Sequence, residues 1–200
     1  MHGTREPGTA LDLEGQVADL IRPLVGGEAE IEPTASILAV APDALPQPHR
    51  DLLVQSEGMS TTLAAYWHEP LELRVVAARR EGKLLARHVV VVTSRSRRAA
   101  AYGAIRIHLE RFEARVLAEI VDGRKPLGAI LHEHRVEHRS QPTGFFLIEP
   151  NEVMRTSLGV RDGRALHGRH NVILDSSHSL MAEVVDILSP ETRDPGDTDP

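Results

Sequence analysis

The sequence predicts an α+β fold, a single antiparallel sheet of about six strands with helices covering one face. Three observations predict it. Helical spacing of apolar residues is confined to a few short segments, strand-like alternation and β-branched runs follow one another from Leu71 onward, and short turns separate those runs. At 200 residues, 41% of them apolar, the chain is long enough for one domain with a self-supporting core. It has no cysteine, so that core must hold by packing alone.

Leu11, Leu13, Val17, Leu20, Ile21 and Leu24 recur at helical spacing until Gly26-Gly27 ends the pattern, which predicts a helix over 10–25. Ile37, Leu38, Val40 and Ala41 form a short apolar run among Pro33, Pro42, Pro46 and Pro48, too punctuated for a long element. A short helix over about 48–55 follows. LELRVVAARREG and LLARHVVVVTS then form a hairpin around Glu81-Gly82, and AAAYGAIRIHL adds a third strand. Phe112, Val116, Leu117, Ile120 and Val121 return to helical spacing, closed by Gly123. After the Pro126-Leu127-Gly128 turn, AILHEHRVEHRS alternates loosely and TGFFLIEP is a compact strand. HNVILDSSHSLMAEVVDIL reads as two strands joined at 175–178. PETRDPGDTDP has the composition of a disordered tail, 190–200.

A formal net charge of −6 and a pI near 6.0 argue against general affinity for nucleic-acid phosphates. Aromatic residues, at 3%, are too scarce for a base-stacking surface. No apolar run is long enough for a membrane span and the N-terminus lacks a leader's apolar stretch, so a cytoplasmic protein with no membrane partner is expected.

Eleven histidines invite a metal reading, densest at His132, His134 and His138. Yet no third ligand stands at a diagnostic spacing, and HEH is not the helical HExxH pair, so no metal is expected. No GxSxG elbow accompanies Ser56, Ser60 or Ser177, and the glycines are too sparse for a phosphate cradle. Two charges sit where charge is costly: Arg87 ahead of four valines, and Glu183 within SLMAEVVDIL. Either faces solvent by alternation or is held inward for a ligand, where Arg87 would offer a guanidinium fork and Glu183 a carboxyl with a raised pKa.

LLVQSEGMSTTL, LLARHVVVV, KPLG and HGRHNVILDSSHSLMAEVVDIL, in that order, resemble the chorismate pyruvate-lyase family. The resemblance spans roughly residues 50 to 190 and leaves 1–49 as an N-terminal extension ahead of a domain over 50–189. Ser60 stands where threonine is more usual. What the resemblance implies is a six-stranded sheet with a buried ligand cavity, and cleavage of chorismate to 4-hydroxybenzoate and pyruvate without cofactor or metal. It places the active-site arginine at Arg87, or at Arg74 if the strands are shifted, and the catalytic acid at Glu183. Backbone N–H groups of Met59 and Leu127, and the side chain of Arg169, are the further substrate contacts. The same fold also serves as a non-catalytic, aromatic-acid-binding effector module in transcription regulators, and a lyase giving another hydroxybenzoate is a third possibility.

Overall fold

The computed structural model describes residues 10–22, 24, 36–56 and 58–190. In chain order the elements are α1 (Ala10–Ile21), β1 (Ile37–Val40), α2 (His49–Leu53), α3 (Met59–Trp67), β2 (Leu71–Glu81), β3 (Leu84–Thr93) and β4 (Ala99–His108). They continue with α4 (Ala114–Asp122), α5 (Leu127–Glu133), β5 (Arg139–Ile148), α6 (Glu152–Leu158), β6 (Leu166–Leu174) and β7 (Leu180–Leu188). The seven strands form one antiparallel sheet in the order β1-β5-β6-β7-β4-β3-β2. The α+β class therefore holds, and the proline-bracketed run ILAV supplies the seventh strand by pairing Ile37 with Ile148. The expected tail lies, apart from Pro190, outside the described residues, as do positions 23 and 25 of the N-terminal helix pattern.

Helices lie on both faces of the sheet. On one, Val17, Leu20 and Ile21 of α1 and Met154 and Leu158 of α6 pack against Val90, Tyr102, Phe146, Val185 and Ile187. On the other, α2 to α5 cover Val91, Ile107, Ala182 and Leu188. The valine run accounts for this. Val89, Val90, Val91 and Val92 are all buried, and successive strand residues face opposite ways, so both faces must be covered. At about 25 cal/mol per Å² of apolar surface, each such valine contributes on the order of 1.5–3 kcal/mol, far more than strand propensity alone.

Helix α5 occupies the start of the segment expected to alternate as a strand. Leu127, Ile130 and Leu131 are its buried residues, at i, i+3 and i+4, so seven residues satisfy a helical period that the loose alternation masks. Its C-terminal neighbour β5 carries Pro142 at a register shift, on the part of the strand that extends beyond β1. There a missing N–H costs no ladder bond. Helix α6 begins at Asn151, whose side chain accepts from the Met154 N–H at 2.9 Å, and ends at Gly159.

Candidate functional site

Between the sheet face of β3, β4, β7 and β6 and the starts of α3 and α5 lies a cavity of about 90 Å³. Its floor is set by strand pairing. Arg87, Ile105, Val184 and Asn171 stand side by side across four strands, and Val89, Gly103, Asp186 and Arg169 form the next row. Paired residues share a face, so both rows look into the same space. The roof is Met59 and Ser60 of α3 with Leu127 and Gly128 of α5. These two helix starts approach closely: a Cβ on Gly128 would lie 3.4 Å from Ser60 Oγ. Pro126 precedes the first turn of α5 with the extended backbone that an N-cap position takes, and no side chain caps α3 or α5.

Arg87, only 3% exposed, is the unusual group. Its Nη1 donates to the Ile120 carbonyl at 2.7 Å and its Nε is enclosed without a partner. Among the described residues no carboxylate lies within ion-pair distance of it. Burial pushes the guanidinium pKa down. Gly123 makes room for it. With φ at 73°, that residue ends α4 in the left-handed region, and a Cβ there would lie 2.8 Å from Arg87 Nη1. A cation taken out of water without a counter-charge costs several kcal/mol, on the order set by ion desolvation, and an anionic ligand in the cavity would repay it.

The second charged feature is a pair. Arg169, 1% exposed, donates from Nε to Asp186 Oδ2 at 3.1 Å and from Nη1 to the carbonyls of Leu53 and Gln55 at 3.3 and 3.4 Å. It thereby ties the end of α2 and the start of the connection to α3 onto β6. Burial raises the Asp186 pKa and the Arg169 cation opposes the rise. Beside the pair, Ser140 Oγ donates to Asn171 Oδ1 at 3.2 Å.

Of the residues expected at the site, Arg87, Met59, Leu127 and Arg169 all line the cavity. Glu183 does not. It lies on the α1 face of the sheet, paired with Arg106 at 3.3 Å while Arg106 also holds Asp19 of α1 at 2.7 Å. Its neighbour Val184 is the one that faces the cavity. Strand alternation dictates this, because Glu183 shares a face with buried Val185, under α1. Arg74 is likewise excluded as the clamp: it pairs with Val90, on the α1 face, and is exposed. His132 is exposed, and His134 Nε2 meets Glu119 Oε1 at 2.7 Å outside the cavity. His138 stands exposed at the cavity rim, its Nδ1 by the Val136 carbonyl at 2.8 Å. Among the described residues no three His, Asp or Glu side chains are grouped to hold a metal, and no helix is long and apolar enough to cross a membrane.

Asp186, Asn171 and Ser140 were not singled out by sequence reasoning. The β6–β7 register puts Asp186 and Val184 on the face of Arg169 and Glu183 on the other, and it includes a one-residue shift between Ile173 and Leu174 that the turn at 175–178 does not announce.

No family model matches the chain, and no curated protein matches it. Solved structures do. PhnF from Mycobacterium smegmatis aligns with TM-score 0.54 at 14% identity, over 70% of this chain and 67% of that one. The effector domain of the same protein aligns with TM-score 0.52 at 13% identity, over 69% of this chain and 91% of that domain. A transcriptional regulator of the GntR family from Bacillus cereus gives TM-score 0.45 at 8% identity, over 65% and 99%. The expectation of a lyase is corrected accordingly. The carboxyl group assigned to its chemistry lies behind the sheet, and the fold resembles that of the PhnF effector domain.

Proposed function

We propose that this chain is a non-catalytic sensor domain whose cavity binds a small organic acid of the aromatic-acid class. The observation that carries the reading is Arg87, a buried guanidinium with no carboxylate partner among the described residues, facing a cavity whose apolar wall includes Met59, Leu63, Val89, Ile105 and Val184. Such a group favours a carboxylate through two parallel N–H bonds. The N–H groups of Met59 and Leu127 stand as further donors to the same anion. The likeness in fold to an effector domain supports sensing over turnover.

In this reading the ligand closes the cavity by drawing together three parts: β3 through Arg87, the α3 start through Met59, and the α5 start through Leu127. Arg169 links the cavity to α2, because the same guanidinium that lines it holds the Leu53 and Gln55 carbonyls. A ligand that shifts Arg169 would therefore be felt at Leu53 and Gln55, which is how a sensor passes on occupancy.

The test is calorimetric titration of the protein with benzoate-type acids, alongside the Arg87→Met variant. Saturable binding to the wild type that the variant loses is expected, together with no pyruvate release when the protein is incubated with chorismate. Equal binding by wild type and variant would refute the assignment.

A further inference from the structure

We propose that His49 of α2 and His167 of β6 form a pH-sensitive clasp, which holds the start of α2 on the sheet while both rings are neutral and releases it on acidification. Through Arg169 the clasp also bears on ligand affinity, a step that rests on the sensor reading given above.

The two rings pack on each other across the joint, their centroids 4.7 Å apart and their planes tilted by 38°. Both side chains are half-buried, and both ring nitrogens of His49 are enclosed without a hydrogen-bond partner. A protonated His49 there carries two N–H donors to satisfy and has a second imidazole against it. If both rings charge, two cations share a partly desolvated joint where solvent screens them poorly.

The surroundings offer no free counter-charge. On α2, Arg50 and Asp51 are exposed, and Asp51 accepts from Gln47 Nε2 at 2.9 Å; Asp43, in the turn ahead of it, is exposed too. On β6 the next residue of the same face is Arg169, a further cation, whose partner Asp186 of β7 is already engaged. Leu147 of β5, paired with His167, and Leu38 of β1 beyond it are apolar, and Glu149, two residues on, is exposed. Among the described residues the histidines found in ion pairs are His108 and His134. Burial and the neighbouring His167 push the His49 pKa down, with the Ser189 backbone pulling the other way, and burial pushes His167 down. The unfolded chain therefore takes up these protons first, so the clasp is intact above pH 6.5 and weakens as the pH falls below it.

Helix α2 is tied to β6 at both ends. Its buried residues Leu52 and Leu53 lie at the end where Arg169 holds the Leu53 and Gln55 carbonyls, whereas at its start His49 is the residue that meets β6. Opening the first tie loads the second, and Arg169 lines the cavity. Proton uptake and ligand binding therefore oppose each other, each weakening the other by the same factor.

NMR titration of the imidazole Cε1–H signals of the ligand-free whole chain tests the clasp, with amide exchange of Arg50 and Leu52, bonded to the Pro46 and Pro48 carbonyls, followed at about pH 7.5 and 5.5. His49 and His167 are expected to titrate in two separated steps, and both amides to lose protection at the lower pH beyond the intrinsic pH effect. In His167→Phe, which keeps a ring in the joint and removes its proton, His49 should titrate in one step at higher pH than in wild type; in His49→Phe the lower step should vanish. Should either variant not fold, the other decides with the wild type. Rings that titrate independently, each unmoved when the other is replaced, overturn the proposal, as does equal protection at both pH values. Calorimetry with 4-hydroxybenzoate reads the second half: wild-type affinity is expected to fall at least about fivefold between the two pH values, the lower end of ordinary coupling between sites, and to fall by less in the variants. A fall of equal size in the variants overturns the coupling. No binding at either pH overturns the sensor reading, while the ligand-free titration still decides the clasp.

Discussion

Replacing Arg87 by methionine should separate function from stability, because the two depend on the same buried charge in opposite ways. The unliganded protein holds a guanidinium that is 3% exposed, with one bond to Ile120 and an unpartnered Nε. Exchange of a buried charge for an apolar chain of similar length removes a desolvation penalty, typically a gain of about 1–4 kcal/mol. Against this, the Ile120 carbonyl loses a charged hydrogen bond, about 1.5–3 kcal/mol. The two terms nearly cancel, so the net lies within about 2 kcal/mol of zero, which for a chain of this size moves Tm by no more than about 4–8 °C in either direction. Ligand affinity should fall at least about 30-fold, the equivalent of 2 kcal/mol for one partner of a buried charge pair. Thermal unfolding without ligand and calorimetry with 4-hydroxybenzoate measure the two halves. A variant that melts more than about 8 °C lower yet still binds would refute the reasoning, since Arg87 would then be a structural strut.

Glu183→Gln, by contrast, should leave ligand binding unchanged and shift stability by no more than about 0.5–1 kcal/mol, as its pair with Arg106 is partly solvated; calorimetry and melting check both. Gly123→Ala forces a Cβ into the left-handed region and to 2.8 Å from Arg87 Nη1, so a loss of about 1–3 kcal/mol should accompany weakened binding. Stability should also fall on acidification. His88 is buried between the Tyr102 hydroxyl, which donates to Nδ1 at 3.0 Å, and the Leu20 carbonyl, which accepts from Nε2–H at 3.0 Å. Burial holds its pKa below the ordinary 6.5. The unfolded chain therefore binds the proton first, and stability present above pH 6.5 is lost as the pH falls below it. The Tm–pH slope between 7 and 5 should flatten in His88→Phe, and an unchanged slope would contradict the assignment.

Much of this architecture was legible in the sequence, and the misses have identifiable causes. The hairpin at Glu81-Gly82, the α4 period closed by Gly123 and the final hairpin were legible because turn chemistry and apolar period agree there. Helix α5 was not, because seven residues show only two turns of period, and the histidines between Leu131 and His138 imitate alternation. The site followed the same pattern. Arg87, Met59, Leu127 and Arg169 converge on the cavity as the motif order implies. Glu183 fell on the other face because the β6–β7 pairing shifts by one residue between Ile173 and Leu174: the pairing at the turn, Leu174 with Leu180, would set Glu183 on the face of Arg169, whereas beyond the shift Arg169 pairs with Asp186. The second covered face was also encoded, in a valine run with no polar alternate.

The central claim is that Arg87 awaits a ligand anion. A crystal structure of the protein soaked with 4-hydroxybenzoate tests it most directly. The carboxylate is expected on the Arg87 guanidinium at about 2.7–2.9 Å. A ligand seated elsewhere, or an Arg87 that keeps only its bond to Ile120 while the cavity fills, would contradict it.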